Sequence, residues 1–145
     1  MAVAFIYDHV RTPRGKGKSD GSLHEVTALA LATTPLKALK ERNNLEADSV
    51  DDVVLGVVDP VGEAGGDIAR FAALQAGLGT EVPGVQISRF CASGLDAVNF
   101  AAAQVMAGQH ELTIGGGAES MSAVLLPAAG HLGRSDRDQV RFLAC

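Results

Sequence analysis

Residues 86 to 98 read QISRFCASGLDAV. An apolar, strand-like run stops at Arg89, and a small-residue, alanine-rich run starts at Ala92. Cys91 stands at the junction. A lone cysteine is most often a small buried hydrophobe. The setting favours a second reading. A helix N-terminus carries positive partial charge and unpaired N–H groups, which stabilise a thiolate. The same N–H groups are suited to an oxyanion. Ser93 and Gly94 fall in the first turn, and Gly94 permits close approach of another backbone or a substrate. In open α/β sheets, sites form beyond the carboxyl ends of the strands, where Cys91 would lie.

Working outward, periodicity gives an alternating order. Residues 3–7, 50–59, 82–88 and 111–117 read as strands. Residues 8–22 are polar and punctuated by Gly and Pro, and read as a loop. A helix is expected over 23–42, opened by a capping-box pattern at Ser22 and Glu25 and kinked or split at Pro35. A second is expected over 67–79, with Asp67 as a candidate cap and Gly77 and Gly79 as stops. The third, over 92–107, is apolar nearly all round and should be buried on most sides. The order βαβαβαβ implies an α/β fold: a mixed, mainly parallel sheet with helices on both faces. Residues 125–145 are charged, lack periodicity and have no evident place in the sheet.

Composition narrows the function classes. The chain has 145 residues, 47% hydrophobic and 20% charged, with net charge −5. That balance disfavours a general nucleic-acid or anionic-membrane binder. Aromatic residues are 4%, which leaves few stacking platforms for single-stranded nucleic acid. No run approaches the roughly 20 apolar residues of a membrane span. The start, MAVAFIYDHV, lacks the basic region of a signal peptide. Cys91 and Cys145 are the two cysteines, so a disulfide framework is not expected and a cytoplasmic location is the simplest. No His/Cys cluster has metal-ligand spacing. A P-loop ending at Ser19 would need Gly where Thr12 stands. Arg11, Arg14, Lys16 and Lys18 form a basic loop, read as solvated, as are Asp51, Asp52 and Glu63. His9, His24, His110 and His131 are read as surface histidines.

Residues 91–122 resemble the thiolase family: a Cys followed by a small residue, Ser and Gly, then an alanine-rich helix, a strand and GGAESMS at 116–122. RTPRGK at 11–16 is similar to the thiolase N-terminus, and the resemblance runs from about residue 3 to 123. It implies a thiolase-like N-terminal half-domain over 1–124, with a tail of uncertain structure over 125–145. It implies Cys91 as the catalytic nucleophile, which forms an acyl thioester. The activity implied is that of an acetyl-CoA C-acyltransferase, cleaving or forming a carbon–carbon bond beside a thioester in 3-ketoacyl-CoA and fatty-acid metabolism. Coenzyme A thioesters would be substrates, with no bound cofactor or metal. Thiolases are dimers or tetramers, with the segment matching residues 85–90 at the dimer interface. The family places a base in a G-H-P motif, a second Cys in C-x-G and an Asn in N-E-A-F, all in a second half. None of these occurs here, and Cys145 has no residue after it to complete a C-x-G. The expectation is an N-terminal piece, truncated or one chain of a split enzyme and inactive alone. It would lack the second half and the fifth strand of the first half, and its third helix would have no partner on one face. The alternative is a non-catalytic interaction module.

Overall fold

The structure is a computed structural model describing residues 3–122 and 141–144. Its framework is a five-stranded sheet in the order β1-β5-β4-β2-β3. The strands are β1 (Asp8–Arg11), β2 (Asp52–Gly56), β3 (Gly84–Ile87), β4 (Thr113–Gly117) and β5 (Arg141–Ala144). β2 pairs parallel with β3 and β4, and β5 pairs antiparallel with β1 and β4. The mixed α/β class is as expected, but its parallel part is confined to β2, β3 and β4.

Helices cover both faces because β2 is apolar on both. Val53 and Leu55 pack with helices α1 (Ala28–Asn43) and α2 (Ile68–Gln75), in the larger core with Leu31, Leu36, Leu39 and Ile114. Val54 points the other way, against Ala97 and Ala101 of α3 (Ser93–Met106). This is the side-chain alternation of a strand, with both faces buried.

Several expectations are corrected. Residues 3–7 are not a strand: Val3, Phe5, Ile6 and Tyr7 are exposed, and pairing starts at Asp8, inside the expected loop, where β5 supplies the partner. The fifth strand is present, formed by Arg141–Ala144 between β1 and β4. Its four residues, RFLA, are too few to show a period and follow a charged stretch. The capping box at Ser22 and Glu25 does not open α1. Thr27 does, its Oγ accepting from the Ala30 amide at 3.0 Å. α1 runs unbroken through Pro35. Pro35 is buried in the core-facing stripe, and Thr33 and Thr34 donate their hydroxyls to the carbonyls of Leu29 and Ala30. α2 is shorter than expected, but Asp67 caps it, accepting from the Arg70 amide at 3.2 Å.

α3 departs from the expectation, drawn from its apolar composition, of burial on most sides. Only Ser93, Ala97 and Ala101 are fully buried, while Leu95, Phe100 and Met106 are exposed. One stripe meets the sheet; the opposite stripe has no cover among the described residues. Asp52 is also corrected: it is 7% exposed, not solvated, and its carboxylate accepts from Gln104 Nε2 at 2.8 Å. That bond ties the start of β2 to the last turns of α3. No helix among the described residues is long and apolar enough to cross a membrane.

Candidate functional site

The three parallel strands end side by side, with Gly56 of β2 opposite both Ile87 of β3 and Gly117 of β4. The turn carrying Cys91 begins just beyond Ile87, so Cys91 lies at the carboxyl edge of the parallel strands. Cys91 is exposed and not in a disulfide. The buried-thiol reading therefore fails for this position.

Glycines set how close α3 comes to the sheet. A Cβ on Gly56 would lie 2.2 Å from the Ser93 carbonyl carbon and 2.5 Å from the Gly94 nitrogen. A Cβ on Gly115 would lie 2.7 Å from the Val98 Cα, and one on Gly117 would lie 3.2 Å from the Gly94 Cα. Only hydrogen fits at Gly56 and Gly115, because the facing atoms are helix backbone and cannot rotate away. Gly94 itself faces open space.

The turn before α3 is closed from inside. The Ala92 amide donates to Arg89 O at 3.1 Å and the Ser93 amide to Phe90 O at 2.9 Å. The Asp96 amide donates to Ala92 O. Two of the helix-start donors expected for an oxyanion are therefore already used. The Gly94 and Leu95 amides have no backbone acceptor among the described residues. Asp96 lies in the first turn, where a carboxylate suits the helix dipole, and its Oδ2 meets Arg89 Nε at 2.9 Å.

Glu119 joins the exits of two strands. It follows β4, and its Oε2 accepts from the Val58 amide, beyond β2, at 2.7 Å. The Ala118 amide donates to Gly56 O at 3.2 Å. Ser120 and Ser122 are buried, and their hydroxyls have no partner among the described residues. Gly117 thus lies against the α3 start, and the residues after it bond back to the exit of β2. Spacing alone did not assign a bonding role to Glu119. An acidic residue just after a strand of glycines was the available signal.

Other candidates lie away from this edge or outside it. His9 is exposed on β1. His24 is not a simple surface histidine: it is half-buried, and its Nδ1 is buried without a partner among the described residues. His110 is half-buried near Asp51, whose carboxylate accepts from the amides of Leu112 at 2.9 Å and Glu111 at 2.8 Å. Those two bonds hold the Asp51 carboxyl below its ordinary value of 3.8. His131 and Cys145 lie outside the described residues. Among the described residues no cluster of three His, Cys, Asp or Glu side chains could hold a metal ion.

Comparison with known proteins gives one answer. The family model for the thiolase N-terminal domain matches residues 4–137. The chain is 48% identical over 123 residues to a 3-oxoadipyl-CoA/3-oxo-5,6-dehydrosuberyl-CoA thiolase of Escherichia coli K12, covering 84% of this chain and 30% of that protein. It is 35% identical over 133 residues to a steroid 3-ketoacyl-CoA thiolase of Mycobacterium tuberculosis, covering 92% of this chain and 32% of that one. The crystal structure of the Bacillus anthracis acetyl-CoA acetyltransferase superposes with a TM-score of 0.77 at 33% identity, covering 95% of this chain and 36% of that one. The chain spans about a third of the length of these relatives. It belongs to the thiolase family and corresponds to the N-terminal part of that fold.

Proposed function

We propose that this chain is the nucleophile-bearing part of a thiolase-type acyltransferase, with Cys91 accepting an acyl group from a coenzyme A thioester. The observation that carries the reading is an exposed, unpaired thiol at the start of α3, at the carboxyl edge of three parallel strands. In the step proposed, the Cys91 thiol gives up its proton to solvent and the thiolate Sγ attacks the thioester carbonyl. The tetrahedral oxyanion collapses, the carbon–sulfur bond to coenzyme A breaks, and the departing thiolate takes up a proton. The acyl group remains on Cys91. The Leu95 amide is a first-turn donor without a backbone acceptor among the described residues, suited to a developing negative charge.

The substrate class is a 3-ketoacyl-CoA, as the names of the relatives suggest; these span dicarboxylic, steroid and acetyl groups. Coenzyme A is substrate, not resident cofactor. Self-association and a cytoplasmic location belong to the same proposal. Carbon–carbon cleavage requires further groups to move protons. The G-H-P and C-x-G motifs that supply them in the family do not occur in these 145 residues. The 145-residue chain alone is therefore proposed to accept an acyl group without turning over.

Mass spectrometry of the chain after incubation with acetyl-CoA tests this. An acetyl adduct lost in Cys91→Ala is expected, without catalytic thiolysis of acetoacetyl-CoA. A folded chain that takes no acetyl group would instead favour a non-catalytic interaction module. The uncovered stripe of α3 is the observation on that side, with Leu95 66% exposed. Thiolysis at rates typical of complete enzymes would overturn the proposal that the chain is incomplete as a catalyst.

A further inference from the structure

The residue before Cys91 is held in an unfavourable backbone conformation. Phe90 has φ 49°, in the left-handed region that non-glycine residues rarely adopt. Its side chain is 75% exposed, so packing of the ring does not hold it there. Bonds to the turn must do so, and Ser93 makes most of them. Ser93 is 2% exposed. Its Oγ donates to Phe90 O at 2.6 Å and accepts from the Arg89 amide at 2.8 Å. Its own amide also donates to Phe90 O. The backbone of Ser93 is in turn seated on Gly56, where no side chain fits.

We propose that Ser93 is a positioning residue for Cys91: its buried hydroxyl locks the strained Arg89–Phe90 turn and so transmits the sheet's rigidity to the thiol. The proposal rests on the reading of Cys91 as acyl acceptor. Ser93 need not touch the reacting atoms. Its hydroxyl is both donor and acceptor within one turn, so alanine removes both bonds while preserving the backbone seat. Acyl transfer needs the thiol in a defined place relative to donors for the oxyanion, and small displacements are costly. Alkylation by a small reagent needs only exposure.

The test uses the full chain and two readouts. The first is amide hydrogen exchange at Arg89, Ala92 and Ser93. The second is the rate of Cys91 acetylation by acetyl-CoA divided by its rate of alkylation by iodoacetamide. Ser93→Ala is expected to speed exchange at these amides by about tenfold, with the interior of α3 unchanged. It should lower the acetylation-to-alkylation ratio by about tenfold or more. Phe90→Val approaches the same turn from an exposed position. A β-branched residue tolerates this φ poorly, so the same two changes are expected. A role limited to stability would lower the melting temperature and leave the ratio alone. Unchanged exchange in a folded Ser93→Ala chain, or an unchanged ratio, overturns the proposal. If the wild-type chain is alkylated at Cys91 but takes no acetyl group, the acyl-acceptor reading falls. The exchange measurement then decides for Ser93 by itself.

Discussion

Replacing Gly56 by alanine is a severe test of how the site is built. The new Cβ would sit 2.2 Å from the Ser93 carbonyl carbon, 2.3 Å from its oxygen and 2.5 Å from the Gly94 nitrogen. These distances fall about 1 Å short of ordinary contact, which begins near 3.4 Å. All three atoms are backbone, so no rotamer relieves the clash. Either the first turn of α3 lifts from the sheet or β2 bends. Overpacking costs roughly 1–3 kcal/mol, and the upper end applies when backbone must move. For a chain of this size that is a fall in melting temperature of about 10 °C. Gly94→Ala makes the same chemical change in the next layer. There the Cβ meets nothing within 4 Å, and alanine exceeds glycine in helix propensity by about 1 kcal/mol. Its melting temperature should hold or rise by a few degrees. Far-UV circular dichroism during heating, checked by urea midpoints, gives both values. Equal melting temperatures for Gly56→Ala and wild type would refute the close seat of α3 on the sheet. An equally large loss in Gly94→Ala would refute the open space there.

Three further outcomes are expected. Thr27→Ala removes the bond that caps α1 and should cost about 1 kcal/mol in urea unfolding. Gln104→Ala removes the side-chain donor to the buried Asp52 carboxylate and should cost about 1–3 kcal/mol by the same measurement. Asp51 has its pKa lowered by the Leu112 and Glu111 amides, so its stabilisation is complete above the unfolded value near 3.8 and is lost as pH falls through the folded value. The stability gap between wild type and Asp51→Asn should therefore be constant above about pH 5 and shrink below about pH 4; a gap independent of pH down to acid unfolding would contradict those bonds.

The sheet core was legible wherever burial leaves a pattern. A largely apolar run gave β2 to within a few residues, because strands covered on both faces cannot carry exposed polar positions; β4, which is Thr113, Ile114 and three glycines, carries no such run. Edge elements were less legible. Val3 to Tyr7 has the composition of a buried strand but is exposed, and pairing starts at Asp8. Strand formation there depends on a partner far along the chain, and local composition carries no information about that partner. Arg141–Ala144 is the converse, a strand too short to show a period, placed by β1 and β4 on either side. Pro35 shows tertiary packing overriding propensity, since a residue that should break α1 is buried in its core-facing stripe.

For the site, the sequence singled out Cys91 as a candidate, and the structure shows how that residue is set. Cys91 stood out through its place between strand and helix and through the residues after it. Nothing in the pattern showed that Phe90 would be left-handed, that Ser93 would bond backward to Arg89 and Phe90, or that Gly56 would seat Ser93. The first two are local to one turn, and the third is a contact between residues far apart in the chain, made where α3 packs on β2. The small residues that look like weak helix and strand formers, Gly56, Gly115 and Gly117, are the ones that let α3 approach. Larger residues there would raise local propensity and push the helix start away from the sheet. The setting of Cys91 and the close seat of α3 on the sheet are therefore one design constraint. A change that improves β2 or β4 as strands should loosen the turn that presents the thiol.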